Sequence, residues 1–227
     1  MLESLRQLIA APACLLCRGR TSSLLCECCL GDLPWNRVSC PSCALPLSAS
    51  APHLCRRCAR RAPPFSAALT AFRYAAPVDR AVHQLKYSAD FLAAQWLSDC
   101  LAQSVMLAGH DLPDVLLPVP LHRSRLRIRG YNQAHEIARR VAVRLRIPCE
   151  PHAARRVRAT EDQIGKSAAQ RRRNLRGAFA VLEPLHGRRV ALIDDVMTTG
   201  STLAELSRAC LHAGASSVAV WCVARVE

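Results

Sequence analysis

The residues with the most direct chemical potential lie near the C-terminus, in Val190-Ala191-Leu192-Ile193-Asp194-Asp195-Val196-Met197-Thr198-Thr199-Gly200-Ser201-Thr202. Two adjacent carboxylates follow a short apolar run, and a loop of small hydroxyls around one glycine follows them. A carboxylate pair suits a sugar's cis-diol or a magnesium ion. Hydroxyls at a helix start suit a phosphate, because the first turn of a helix carries unpaired N–H groups and the positive end of its dipole. Gly200 lets the backbone turn close to such a group. A bare strand–loop–helix crossover capped by Asp is the plainer alternative, but it does not require these features at fixed offsets. A Walker A loop is excluded, since no Lys follows Gly200 and the Gly-x4-Gly-Lys frame is missing.

A second chemistry belongs to cysteine. Nine of the 13 cysteines fall between Cys14 and Cys58, and eight of them form four C-x2-C knuckles: Cys14/Cys17, Cys26/Cys29, Cys40/Cys43 and Cys55/Cys58. Two thiolates at that spacing grip one tetrahedral metal and two knuckles complete a closed site, so eight ligands would hold two structural Zn2+ ions. Disulfides are the alternative and suit an oxidising compartment. The spacing leaves open whether adjacent knuckles pair or alternate, and whether Cys28 replaces Cys26 or Cys29. The segment has few large apolar residues, so a metal would supply much of its folding energy. Cys100, Cys149, Cys210 and Cys222 stand among apolar neighbours and read as small core residues.

The third candidate is Pro118-Val119-Pro120-Leu121-His122-Arg123-x-Arg125-x-Arg127-x-Arg129-Gly130-Tyr131-Asn132-Gln133, read as an arginine-rich loop at a strand end. Arg129 and Gly130 beside the start of a helix suit a pyrophosphate. A further polar stretch, Arg156-Val157-Arg158-Ala159-Thr160 to Gln163 with Arg171, Asn174 and Phe179, has the composition of a segment that could close over a ligand. For both, a solvated basic surface is the bland reading.

Elements must position these groups. Val190 to Ile193 has the character of a buried parallel strand, which delivers ligand groups at its carboxyl end. Further strands are expected at Ala68 to Tyr74, Asp114 to Pro120 (ended by its prolines), Ala178 to Leu182 and Ser217 to Val223. Helices are expected at Val78 to Tyr87, Phe91 to Leu107, Ala168 to Leu175 and Leu203 to Ala213. Between Asn132 and Leu145, apolar residues at 134, 137, 138, 141, 142 and 145 make a helical stripe. Alternating strands and helices predict an α/β domain with a mainly parallel sheet. Ala62-Pro63-Pro64-Phe65 reads as a linker, giving a Cys-rich module over 1–61 and an α/β domain over 62–227.

Composition narrows the partners. The 227 residues carry a formal charge of +14, and Leu121 to Arg176 holds 16 Lys and Arg against 4 Asp and Glu. Two zinc ions, each bound by four thiolates and formally −2, would trim the total to +10. A surplus of that size favours polyanions such as nucleic acid or a phosphorylated ligand, although arginine-rich coding bias would produce it too. Aromatic residues make up only 4%, too few for a broad base-stacking platform. No apolar run reaches the ~20 residues of a membrane span, and the N-terminus makes a poor signal peptide, so a cytoplasmic location is expected.

The Asp194-Asp195 to Thr202 segment resembles the phosphoribosyl pyrophosphate (PRPP) motif of type I phosphoribosyltransferases. The chain as a whole resembles ComF-type proteins, in particular the GntX-like branch. That likeness rests on the knuckles, His83-Gln84-Leu85-Lys86-Tyr87, Pro118-Val119-Pro120 with Arg129-Gly130-Tyr131-Asn132-Gln133, Arg158-Ala159-Thr160-x2-Gln163, Arg171-x2-Asn174 with Phe179, and Asp194-Asp195 to Thr202. The resemblance implies a zinc module joined to a type I phosphoribosyltransferase-like domain, in a family linked to natural transformation and the handling of imported single-stranded DNA. By the same resemblance Asp194 and Asp195 hold the ribose hydroxyls, while Thr198, Thr199, Gly200, Ser201 and Thr202 wrap the 5′-phosphate. Arg129 with Gly130 would stabilise the departing pyrophosphate, with Lys86 adding charge and Mg2+ accompanying PRPP. Asp194, Asp195 and Arg129 are then the catalytic candidates of a phosphoribosyl transfer. The alternative is a non-catalytic DNA-uptake adaptor that binds single-stranded DNA, works beside DNA-uptake or recombination proteins and uses the PRPP site for regulation. A transcription factor is disfavoured, because the Arg-rich segments lack helix-turn-helix or finger-helix spacing.

Overall fold

Prolines decide where the main sheet opens. In the computed structural model, which describes residues 13–49, 53–109, 111–158 and 176–227, a four-stranded sheet is formed by β1 (Ala67–Arg73), β2 (Val115–Pro118), β5 (Arg189–Met197) and β6 (Ser217–Arg225). The order is β1-β6-β5-β2, and every neighbouring pair is parallel. Pro118 pairs with Ile193 and ends β2. With Pro120 two residues on, that chain cannot keep donating to a ladder. β5 runs on to Met197 beside β6, so a crevice opens next to Asp194 and Asp195, outside the carboxyl end of β2.

Side chains alternate between two packed faces, as the two-residue period of a strand requires. Ala191 and Ile193 of β5, Leu116 of β2 and Val223 of β6 enter one core with α3 (Val78–Tyr87), α4 (Phe91–Ala108) and α6 (Gln133–Leu145). Val190, Leu192, Val115, Leu117, Val218 and Val220 enter the other with α7 (Ser201–His212). Being covered on both faces explains the unbroken apolar run before Asp194. Burying each of its large side chains stabilises the fold by about 1.5–3 kcal/mol. β3 (Ala154–Arg156) and β4 (Phe179–Val181) form a separate antiparallel pair.

The α/β fold with a mainly parallel sheet agrees with the sequence reading, and element ends differ by a few residues. Three differences matter for function. The arginine-rich stretch expected as a loop contains a helix, α5 (Arg123–Arg129). His122 caps its start, and Gly130 ends it in the left-handed conformation at φ 81°. Secondly, β3 ends on Arg156, the first residue of the polar stretch expected to close over a ligand. Thirdly, β6 continues past Val223 to Arg225. The helix expected at Ala168 to Leu175 lies outside the described residues, as do Thr160, Gln163, Arg171 and Asn174.

The Cys-rich module carries the short helices α1 (Glu27–Gly31) and α2 (Arg56–Arg60) and lies along the free edge of β1. Asn36 N–H donates to Ala71 O, Arg73 N–H to Pro34 O and Ala68 N–H to Pro41 O. Trp35 stacks on Phe72 with ring centroids 4.7 Å apart. The buried Asn36 amide donates to Ala44 O and Thr70 Oγ1. The module therefore protects an edge that would otherwise expose a row of unpaired groups.

Candidate functional site

The crevice beside β5 collects both signs of charge. A cavity of about 210 Å3 is lined by Asp194 and Asp195 of β5, Lys86 at the end of α3, and Arg125, Arg129 and Arg156, with Thr202 of α7 and Asn132 at the start of α6. Lys86 Nζ lies 3.0 Å from Asp195 Oδ2. Burial opposes the Lys86 charge, but Asp195 and Asp194 outweigh it and hold the ammonium above its ordinary value. Asp194 is pushed up to about 7, by burial first and by the neighbouring Asp195 charge second, with Lys86 pulling the other way. One carboxyl therefore stands near its titration point at neutral pH. Arg156 is drawn down by burial and by Arg125, and the negative Asp194 counters this.

Several local devices bring these groups together. Asn132 accepts Ala134 N–H at 3.0 Å and donates to Val119 O at 3.0 Å, which ties the start of α6 to the end of β2. Tyr131 Oη donates to Leu85 O. The Arg129 guanidinium sits 5.4 Å from the Tyr87 ring centroid. The end of α5 is thereby pinned against the end of α3, and Arg129 joins Lys86. Arg156 lies over the Phe179 ring at 5.7 Å, across the β3–β4 pair.

The hydroxyl loop forms the next wall. Gly200 takes φ 72° and precedes α7, while Thr199 Oγ1 and Ser201 Oγ are 2.8 Å apart. Thr202 faces the carboxylate cavity, whereas Thr199, Gly200 and Ser201 line a second, larger cavity on the other side, of about 1060 Å3. That cavity lies between the second pair of knuckles and α7, with Arg57, Arg61, Arg176 and Arg208 at its walls. Thr198 is exposed and lines neither. Gly130 is the cap of α5 and does not line the carboxylate cavity.

The eight knuckle cysteines gather into two groups, Cys14/Cys17/Cys26/Cys29 and Cys40/Cys43/Cys55/Cys58, each with its sulfurs within 4.8 Å of one another. Adjacent knuckles pair, and no cross-braced arrangement occurs among the described residues. Cys28 is exposed and belongs to neither group. Cys17 and Cys26 sulfurs are 3.7 Å apart, and those of Cys43 and Cys55 are 3.6 Å apart. A tetrahedral ion with Zn–S bonds of about 2.3 Å needs roughly 3.8 Å. Backbone N–H groups point at the sulfurs of Cys14, Cys17, Cys26, Cys40 and Cys55. Burial pushes the Cys14 thiol up, but the N–H groups of Cys17, Cys26 and Leu16 overcome this and bring it down to about 6. Both groups fit a tetrahedral metal such as Zn2+.

The sequence places Arg125 in the arginine-rich stretch, Arg156 in the polar stretch that could close over a ligand and Arg57 in a basic cluster of the Cys-rich module, but assigns none of them to these contacts, and it marks no role for Arg225. Arg156 could have been found by its alternation with buried Ala154 opposite Phe179. Arg57 and Arg225 act across the two modules, so their contacts with the loop left no local signal.

No family model matches the chain. Among curated proteins, it is 38% identical over 206 residues to DNA utilization protein YhgH of Escherichia coli (strain K12), covering 88% of this chain and 90% of that one. It is 39% identical over 196 residues to the protein of the same name in Salmonella typhimurium, covering 84% and 86%. Competence protein F of Haemophilus influenzae is 33% identical over 226 residues, covering 93% of this chain and 96% of that one. Among solved structures, similarity extends to the glutamine PRPP amidotransferase from B. subtilis complexed with ADP and GMP (TM-score 0.38, 23% identity, 57% of this chain and 26% of that one). It extends also to the purine phosphoribosyltransferase from Pyrococcus horikoshii (TM-score 0.37, 18% identity, 58% and 82%).

Proposed function

Because this chain belongs to the ComF family, that of DNA utilization protein YhgH and Competence protein F, we propose that it binds PRPP together with Mg2+ and serves in the handling of imported DNA. The observation that carries the ligand assignment is the joint placement of Asp194 and Asp195 with Lys86, Arg125, Arg129 and Arg156 around one cavity. Vicinal hydroxyls are donors and suit carboxylates, whereas a pyrophosphate suits a cluster of guanidinium groups. PRPP carries both on one ribose, and its 5′-phosphate would meet the start of α7 at Thr202, which faces the same cavity, with the rest of the Thr198 to Thr202 loop beside it.

In this reading Asp194 and Asp195 accept the ribose hydroxyls. Lys86 orients Asp195 and adds positive charge beside the pyrophosphate. Arg129, Arg125 and Arg156 stabilise charge as the pyrophosphate departs. Asp194 and Asp195 are the carboxylates that would hold Mg2+ beside PRPP, where it would lessen the repulsion between phosphates. Catalysis of transfer would rest on positioning and electrostatics. Isothermal calorimetry with PRPP and Mg2+ tests the assignment. Binding is expected in the wild-type protein and its loss in the Asp194→Asn plus Asp195→Asn variant; an absence of heat in folded, zinc-loaded wild type refutes it.

The larger cavity favours a second reading, a DNA-handling adaptor. Arg57, Arg61, Arg176 and Arg208 line it, and Arg208 alone of the four forms an ion pair among the described residues, with Glu205 at 2.9 Å. An arginine-walled groove suits a phosphate backbone. Single-stranded DNA binding that survives the Asp194→Asn plus Asp195→Asn change would support it, and its loss with that change in folded protein would reject it.

A further inference from the structure

Three consecutive carbonyls of the strand-to-helix loop are held from behind by two arginines. Arg225, the last residue of β6, is only 5% exposed. Its Nη1 donates to Met197 O at 3.1 Å, and also to Thr198 O and Val226 O. Its Nε donates to Cys43 O at 3.0 Å. Arg57 Nη2 donates to the next carbonyl, Thr199 O, at 2.8 Å. Both arginines are tied to the second four-cysteine group. Arg225 holds the carbonyl of one of its cysteines, and Arg57 lies on α2 between two others, Cys55 and Cys58.

Peptide planarity gives this clamp a consequence. Within one peptide the C=O and the following N–H point in opposite directions. Fixing the carbonyls of Met197, Thr198 and Thr199 therefore turns the N–H groups of Thr198, Thr199 and Gly200 away from the arginines. Those donors lie immediately before the first turn of α7, so their direction decides whether they join its unpaired N–H groups around a phosphate. Charge links the parts as well. Arg225 is a buried cation without a carboxylate in salt-bridge range among the described residues. A metal bound by four thiolates would carry a formal −2 beside it. An isolated buried charge is costly, so the tetrathiolate centre offsets what the cation loses on leaving water.

We propose that Arg225 and Arg57 are positioning residues that couple metal occupancy of the second four-cysteine group to the phosphate-binding competence of the Met197 to Ser201 loop. The first four-cysteine group, which reaches the loop through neither arginine, has no such influence. The identity of the ligand rests on the PRPP reading above; the clamp itself does not. Metal loading would order the loop, and by reciprocity a phosphate on the loop would retain the metal.

The experiment uses full-length, zinc-loaded protein with Arg57→Ala and Arg225→Met variants. Zinc per chain is measured by mass spectrometry, and amide hydrogen exchange is followed in the peptide spanning 197–202. Calorimetry with PRPP and Mg2+ is run alongside. Exchange in that peptide should accelerate in Arg57→Ala while zinc stays at two per chain, and PRPP affinity should fall roughly tenfold, the loss of one hydrogen bond from a charged group. Cys58→Ser should accelerate the same peptide, and Cys29→Ser should not. If Arg225→Met fails to fold, Arg57→Ala decides alone, because Arg57 is exposed. Unchanged exchange in Arg57→Ala and Cys58→Ser overturns the coupling even where PRPP binds. Accelerated exchange in a protein that never binds PRPP supports the coupling and sinks the ligand assignment.

Discussion

Replacing Lys86 by Met removes the one cation paired with Asp195 among the described residues while keeping the length of the side chain. The two groups are 3.0 Å apart, and their side chains are 25% and 10% exposed. At an effective dielectric near 20, two unit charges about 4 Å apart attract by about 4 kcal/mol. Part of this is offset because Lys86 no longer has to be desolvated, and its partial exposure screens the pair. The expected net loss is about 2–3 kcal/mol, below the upper range for breaking a buried pair. The loss should depend on pH. Asp194 sits at about 7 in the folded protein, against 3.8 for an ordinary Asp, so its contribution to stability is present at low pH and fades as pH rises through 7. Lys86 lowers that value; without it the folded carboxyl titrates higher still, and more stability is lost on the alkaline side. Urea unfolding of zinc-loaded protein at pH 5.5 and pH 7.5, followed by circular dichroism, reads both effects. A deficit that is smaller at pH 5.5 fits the electrostatic account. A deficit under about 0.5 kcal/mol at pH 7.5, or one that grows on acidification, refutes it.

Affinity for PRPP with Mg2+ should rise about tenfold between pH 6 and pH 8 if the Asp194 carboxylate must be ionised to receive the ligand, since Asp194 titrates at about 7; calorimetry across that range would show a flat profile if the carboxyl is uninvolved. Changing Cys28 to Ser should leave two zinc ions per chain by mass spectrometry, because its sulfur belongs to neither four-cysteine group, while Cys26→Ser should lose one. Arg61→Ala plus Arg176→Ala should weaken single-stranded DNA binding uniformly across sequences. The slope of log K against log salt should fall by roughly 1–2 if both side chains meet phosphates. Fluorescence anisotropy at several salt concentrations measures this, and an unchanged slope removes the larger cavity from the DNA path.

Local chemistry was legible wherever one short segment carries it. The run before Asp194 is apolar because β5 is covered on both faces, and that is visible without a fold. The C-x2-C knuckles are equally local, since two thiolates three residues apart share one ion whatever surrounds them. The Arg123–Arg129 helix was missed because its alternating arginines give no apolar stripe, and it is held by His122 at one end and Gly130 at the other. Knuckle pairing was undecidable from spacing, because both pairings leave the same intervals along the chain.

By itself, then, the sequence determined the kinds of chemistry present and the alternation of strands and helices that carries them. Only the tertiary structure decided that Arg156 joins Lys86 and Asp195 around one cavity, and that Arg225 and Arg57 grip the loop from the side of the Cys-rich module. The physical reason is range. Propensity and periodicity act over a few residues, whereas Arg57 and Thr199 are 142 positions apart and meet only because the module covers the edge of β1.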